Sequence, residues 1–227
     1  MDTNTLTATT LAGLFDHTYL KPFATNEDFD RLCQEALKIH ACMVAINSSP
    51  VTYCKNILKD SGVHVGAAIA FPLGQTSIAS KLAETLNAIE DGADEIDYVI
   101  NIGEAKMHHW AYLEEEMKTL VNACHARNIL IKVIFENCYL EKAEIIELAK
   151  IAKKIKPDYI KTSTGFGTSG ATIEDVKLMK SIVEDDVLVK AAGGIRDWPT
   201  CKTMLEAGAS RIGTSSSLKI LDEFNHR

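Results

Sequence analysis

Residues 159–170 read Tyr-Ile-Lys-Thr-Ser-Thr-Gly-Phe-Gly-Thr-Ser-Gly, a short strand-like run that carries a lysine and passes into three spaced glycines. Gly165, Gly167 and Gly170 spell G-x-G-x-x-G, the dinucleotide fingerprint, with a helix start near Thr172. That fingerprint belongs in the first strand-to-helix turn of a Rossmann unit. Here other strand-like runs come before it, and the lysine and a Thr-Ser-Thr cluster lead directly into the glycines. The stretch therefore reads as one βα unit late in a longer series, whose loop offers bare amides to a phosphate.

Working outward, apolar β-branched runs that suit buried parallel strands recur along the whole chain: 15–18, 42–47, 63–71, 95–101, 130–136, 159–164, 187–192 and 211–214. Amphipathic stretches lie between them, such as Ile78, Leu82, Leu86 and Ile89, then Leu113, Met117, Leu120, Val121 and Cys124. Thr25 with Asp28, and Thr172 with Asp175, are capping-box-like helix starts. Pro50 and Pro199 suit a first turn, and Gly62, Gly92 and Gly208 suit helix ends. No composition shift marks a linker. The pattern predicts an α/β fold, a (β/α)8 TIM barrel occupying residues 1–227 as a single domain, with Leu6 to Leu14 as a short extra N-terminal helix that caps the bottom. The length of 227 residues suits this, since such barrels take roughly 250.

Composition excludes other classes. Hydrophobic residues make up 46% and charged residues 24%, which argues against disorder and against a coiled coil. A net charge of -7 gives no general attraction for nucleic acid, so any phosphate must be held locally. No apolar run reaches the roughly 20 residues of a membrane helix, and Asp2 and Asn4 do not make a basic leader, so a cytoplasmic protein is expected. The six cysteines contain no C-x-x-C pair and are expected as free thiols.

In a barrel, chemistry sits at the C-terminal ends of strands. Three strands place a lysine among apolar or small neighbours: Lys132, Lys161 and Lys190. Burial and a second nearby ammonium both lower an amine's pKa, and the neutral amine can attack a carbonyl to form a Schiff base. Lys161 and Lys190 lie on consecutive strands, so one serves as nucleophile and the other as perturbing neighbour and proton shuttle. Proton movement also needs a carboxylate. Asp97, inside an apolar strand, is the first candidate and Asp16 the second; the alternative for Asp97 is a buried counter-ion for Lys132 or Lys190, and the two roles are compatible.

The late loops suggest a phosphate. Thr164 and Gly165 follow the sixth strand, Gly193, Gly194 and Arg196 the seventh, and Gly213, Ser215 and Ser216 the eighth, where barrels build phosphate sites from backbone amides and helix starts. A small phosphorylated substrate is implied. Phe71-Pro72-Leu73-Gly74 and Asn47-Ser48-Ser49-Pro50 are strand-end turns that could line the pocket. His64, His108, His109 and His125 lack paired ligand spacing, so no metal is expected.

Taken together, Asp16-His17-Thr18, Phe71-Pro72-Leu73-Gly74, Asp97 to Asn101, Lys132-Val133-Ile134, Lys161 to Phe166, Lys190 to Arg196 and Arg211 to Ser216 resemble the deoxyribose-phosphate aldolase family, in order, from about residue 11 to 220. The resemblance implies a class I, metal-free and cofactor-free lyase that cleaves 2-deoxy-D-ribose 5-phosphate reversibly to acetaldehyde and D-glyceraldehyde 3-phosphate in deoxynucleoside breakdown. It implies Lys161 as the Schiff-base lysine, Lys190 and Asp97 as the proton relay, and Lys132 beside the relay. The partners implied are small sugar phosphates and aldehydes, with a homodimer as the expected assembly. Tyr98, Phe135, Asn137 and Gln75 depart from the common pattern, and no tyrosine stands at the end of the chain to assist proton transfer. Another Schiff-base barrel aldolase, of transaldolase or keto-acid type, and a phosphate-binding barrel without catalysis stay open as alternatives.

Overall fold

The computed structural model describes residues 2–227. Its strands are β1 (Phe15–Thr18), β2 (Met43–Asn47), β3 (His64–Ile69), β4 (Glu95–Val99), β5 (Leu130–Ile134), β6 (Tyr159–Lys161), β7 (Leu188–Ala192) and β8 (Arg211–Thr214). Each pairs in parallel with the next, and β8 pairs with β1, so the sheet closes into a barrel. The helices are α1 (Ala8–Ala12), α2 (Asn26–Ile39), α3 (Val51–Ile57), α4 (Ile78–Glu90), α5 (Ile102–Lys106), α6 (Trp110–His125), α7 (Lys142–Ile155), α8 (Ile173–Val183), α9 (Trp198–Ala207) and α10 (Ser217–Asn225). This is the (β/α)8 alternation that the run spacing predicts. Parallel neighbours cannot be joined by a tight turn, so each crossover carries at least one helix.

The start and stop signals act locally as their chemistry suggests. Thr25 donates its N–H to Asp28 at 3.0 Å to open α2, and Thr172 Oγ1 accepts the Asp175 N–H at 3.1 Å to open α8. Gly208 closes α9 in the left-handed region. The N-terminal segment forms α1, which packs on α10, while Thr3 bonds Glu206 at the C-terminal end of α9. The helices run antiparallel to the strands, so the end of α9 marks the bottom rim, where this segment lies.

Four strands, β3, β4, β5 and β6, end earlier than the apolar runs suggest, and three of them share a cause. Beyond β3, Ala70 turns into the left-handed region and donates its N–H to Glu84. Beyond β4, the Asn101 N–H is taken by Glu116 at 3.1 Å, and its side chain caps α5. Beyond β6, the Thr164 N–H turns to Glu136. In each case a side chain captures the amide that would have extended the ladder.

The apolar core lies outside the strands. Val44, Ile46, Val65, Ile96, Ile131, Val133, Ile160, Val189 and Ile212 point into the layer between barrel and helices and are fully or almost fully buried. Side chains alternate along a strand, so the residues between them face the barrel axis. There the usual branched apolar filling is replaced by charge. Another departure from the simple pattern is α4. Its buried line is Lys81, Thr85 and Ala88, flanked by half-buried Ile78, Leu82, Leu86 and Ile89. Lys81 is tolerated there because Nζ donates to Glu116 Oε2 and to the Val99 carbonyl, each at 2.7 Å, tying α4 and α6 to the end of β4.

Among the described residues, no helix is long and apolar enough to cross a membrane. All six cysteines are unbridged.

Candidate active site

Strand register puts Asp97 beside Lys132, and Lys161 beside Lys190. All four side chains face the barrel axis and are buried. Asp97 is the hub: Oδ2 accepts from Lys161 at 2.7 Å and from Lys190 at 2.6 Å, while Oδ1 accepts from Lys132 at 2.8 Å. Asp16 contacts Lys190 directly and stands 3.9 Å from Lys132. All five of the sequence-derived catalytic candidates therefore meet in one cluster.

Their protonation follows from burial and mutual charge. Burial alone would push Asp97 up, but the ammoniums of Lys132, Lys161 and Lys190 outweigh it and hold the carboxyl well below its usual range. Lys161 is lowered as well, but there burial prevails. Burial, helped by the charges of Lys190 and Lys132, overcomes the pull of Asp97 and brings its amine down to about 8. Lys132 is also fully buried, yet Asp97, Glu95 and Asp16 together raise it above the ordinary lysine value. Two lysines on neighbouring strands thus hold their protons with different strength because they have different numbers of acidic neighbours.

Lys161 is also the lysine that opens outward. It lines a cleft of about 590 Å³ whose walls include Thr18, Thr164, Gly165, Phe166, Gly193, Gly194, Arg196, Gly213 and Ser215. Asp16, Asp97, Lys132 and Lys190 lie beneath this lining. Phe71, from the loop after β3, places its ring 5.8 Å from the Lys161 amine and meets Phe166 edge-on. This aromatic pair screens one side of the amine from water. Asn47 and Ser48 do not line the cleft; Ser48 is instead bonded to Glu84 at 3.0 Å.

The glycine loops after β6 and β7 are built as one unit. Ala171 donates its N–H to the Ala192 and Gly193 carbonyls, each at 3.1 Å. A Cβ on Gly170 would fall 2.1 Å from the Gly193 oxygen, and Gly193 itself has φ 86, so neither position admits a side chain without moving the loops. This loop-on-loop contact accounts for the last glycine of the G-x-G-x-x-G spelling; Gly165 stands at φ 91, and a Cβ on Gly167 would fall 2.5 Å from Cys138 Sγ. Ser216 precedes α10 as its cap, its N–H bonds Thr214 Oγ1 at 2.9 Å, and it stands outside the cleft lining.

Several site residues escape a reading of the sequence. Glu136, at φ 57 after β5, is buried and accepts the Thr164 N–H at 3.1 Å as well as its hydroxyl. Burial raises its carboxyl, against the hydrogen bonds from Thr164. Tyr19, Lys21, Arg31 and Glu35 form the outer cleft wall. Buried His17 bridges Ser217 at 3.0 Å and Glu35 at 2.8 Å, joining the start of α10 to α2. Five of the other histidines, His64, His108, His109, His125 and His226, pair singly with carboxylates, for example His109 with Glu104 and His125 with Asp158.

Known proteins are similar to this chain in sequence and fold. The model of the DeoC/LacD family aldolases matches residues 10–223. A deoxyribose-phosphate aldolase of Lactobacillus acidophilus is 57% identical over 209 residues, covering 92% of this chain and 88% of that protein. One from Bacteroides thetaiotaomicron is 46% identical, covering 94% and 90%. Among solved structures, the tetrameric deoxyribose phosphate aldolase of Aeropyrum pernix superposes with a TM-score of 0.90 at 30% identity, covering 96% of this chain and 92% of that one. With a closed barrel, a buried amine cluster under a glycine-walled cleft, and a family match spanning nearly the whole chain, the protein belongs to the DeoC/LacD family of aldolases.

Proposed function

We propose that residues 1–227 act as one deoxyribose-phosphate aldolase domain, cleaving 2-deoxy-D-ribose 5-phosphate reversibly to D-glyceraldehyde 3-phosphate and acetaldehyde through a Schiff base on Lys161. The observation that carries this reading is the Lys161 amine itself: lowered to about 8, 2.7 Å from Asp97, and facing a cleft that Gly193, Gly194, Arg196 and Ser215 line on the far side. A nucleophile whose pKa lies near neutrality is present as free amine in useful amount.

The chemistry runs in balanced steps. The Lys161 amine adds to the C1 aldehyde of the open-chain sugar, and the resulting carbinolamine loses water as Lys190 and Asp97 deliver and remove protons. The product is a protonated imine. Loss of the C3 hydroxyl proton to the Asp97–Lys190 pair turns that oxygen into a carbonyl, and the C2–C3 bond electrons flow into the imine. Glyceraldehyde 3-phosphate leaves, while C1 and C2 remain on Lys161 as an enamine. Protonation at C2 and hydrolysis release acetaldehyde and restore the amine.

The loops holding Thr164, Gly165, Gly193, Gly194, Arg196, Gly213 and Ser215 would hold the phosphate, with amides and the Arg196 guanidinium as donors. Ser216 would contribute through the first turn of α10 rather than by direct contact. No cofactor is called for, because the imine is itself the electron sink. A charged sugar phosphate is made and consumed inside the cell, which supports a cytoplasmic role in deoxynucleoside breakdown. A homodimer remains the proposed assembly.

Incubation with 2-deoxy-D-ribose 5-phosphate is expected to yield acetaldehyde and glyceraldehyde 3-phosphate in equal amounts, read by separate coupled dehydrogenase assays. Absence of acetaldehyde, together with cleavage of a keto-acid sugar or transfer of a three-carbon ketone unit, would replace this reading with another Schiff-base aldolase.

A further inference from the structure

Beneath the reacting cluster lies a lower tier of charge that touches no part of the cleft. Glu95 precedes Asp97 by two positions on β4, and Arg211 precedes Gly213 by two on β8, so both face the axis. Arg211 is buried, and its guanidinium bonds Asp16 Oδ1 at 2.8 Å and Glu95 Oε1 at 3.3 Å over the ring of Tyr159. Glu95 is also in contact with Lys132, and His64 Nδ1 lies 2.7 Å from it. Counting the tiers together gives Asp16, Glu95 and Asp97 against Lys132, Lys161, Lys190 and Arg211, while Glu136, buried at the end of β5, is raised by burial toward its neutral form. Four cations would leave one buried charge uncompensated, which is costly. With one amine neutral the interior balances.

Resting on the reading of Lys161 as the nucleophile, we infer that Arg211 and Glu95 are positioning residues for the reaction: together they set the charge of the barrel interior so that Lys161, the amine open to the cleft, is the one that gives up its proton most readily. Neither needs to approach substrate. Arg211 supplies a permanent cation, held by Asp16 and Glu95. Glu95 holds Lys132 charged beneath Asp97, so that Lys132 cannot be the amine that gives up its proton.

The groups that bear on this balance can be named strand by strand. Lys161 faces Asp97 from β4, Lys132 from β5 and Lys190 from β7, and its charge reaches Glu136 at the end of β5. Arg211 faces Asp16 from β1, Cys42 before β2, Glu95 from β4 and Tyr159 from β6. His64 on β3 faces Glu95, Asp94 and Arg211.

The test is the pH dependence of kcat/KM on 2-deoxy-D-ribose 5-phosphate, whose acid limb reports deprotonation of the free enzyme's nucleophile. Removing a cation makes protonated Lys161 easier to form, so Arg211→Met should move the limb to higher pH. Removing an anion does the reverse, so Glu95→Gln should move it to lower pH. Each shift should be about one pH unit, the order expected for one elementary charge in a poorly screened interior. The double variant restores the count and should bring the limb back close to wild type, while Arg211→Lys should leave it in place. All are measured in parallel in a His64→Gln background, so that imidazole titration does not enter. Limbs that stay at the wild-type pH while rates simply fall, or single shifts of the same sign, would overturn the inference. If Arg211→Met does not fold, an unmoved limb in Glu95→Gln overturns it alone. Borohydride trapping on wild type separates the two readings: no adduct on Lys161 removes the nucleophile assignment, whereas an adduct without opposed shifts removes only this inference.

Discussion

Lys161→Ala is expected to abolish carbon–carbon cleavage while leaving the barrel folded. The amine is the group that forms the covalent intermediate, so its loss removes the pathway rather than slowing a step, and acetaldehyde release should fall by at least about 10⁴-fold. Stability should change little. Asp97 keeps Lys132 at 2.8 Å and Lys190 at 2.6 Å, and the space vacated opens to the cleft, where water can enter. The check is a paired measurement of acetaldehyde production and thermal melting. Measurable turnover with the alanine variant, or a collapsed melt, would contradict the assignment.

Asp97→Asn is expected to fail in both respects. The asparagine has nearly the same shape but no charge, and it leaves Lys132 and Lys190 without the anion they share. Breaking a buried charge cluster in this way costs about 3–5 kcal/mol. In a chain of this length that lowers the melting temperature by roughly ten degrees. Loss of the proton relay should in addition cut kcat by about 10²- to 10⁴-fold. The two variants are therefore distinguishable: one is a stable, inactive protein and the other is inactive and unstable. Equal stability of Asp97→Asn and wild type would show that the carboxylate is not the hub of the cluster.

Much of this was legible in the chain because its physical causes are local. Apolar runs at βα spacing predict the barrel, and three lysines inside such runs have nowhere to go but the axis or a helix face. The structure puts all three on the axis. What the sequence conceals depends on partners far along the chain. Glu95 and Arg211 stand at the first positions of their strands, where a charge ordinarily meets solvent, and only closure of the barrel brings them 3.3 Å apart. Lys81 and Glu116 look like charges on two separate amphipathic helices until the packing of α4 on α6 buries both. Arg31 and Glu35 belong to the polar face of α2, which reads as a solvated face and becomes the outer cleft wall. At Ser216 the local bonding is equally hidden: its amide is committed to Thr214 Oγ1.

The central claim is that Lys161 carries the substrate covalently. Sodium borohydride added during turnover of 2-deoxy-D-ribose 5-phosphate should reduce the imine and leave a stable adduct on the peptide that contains Lys161, found by mass spectrometry of the digested protein. An adduct at Lys161, absent in Lys161→Ala, is the expected result. An unmodified Lys161 peptide under active turnover, or the adduct on Lys190 or Lys132 instead, would contradict it.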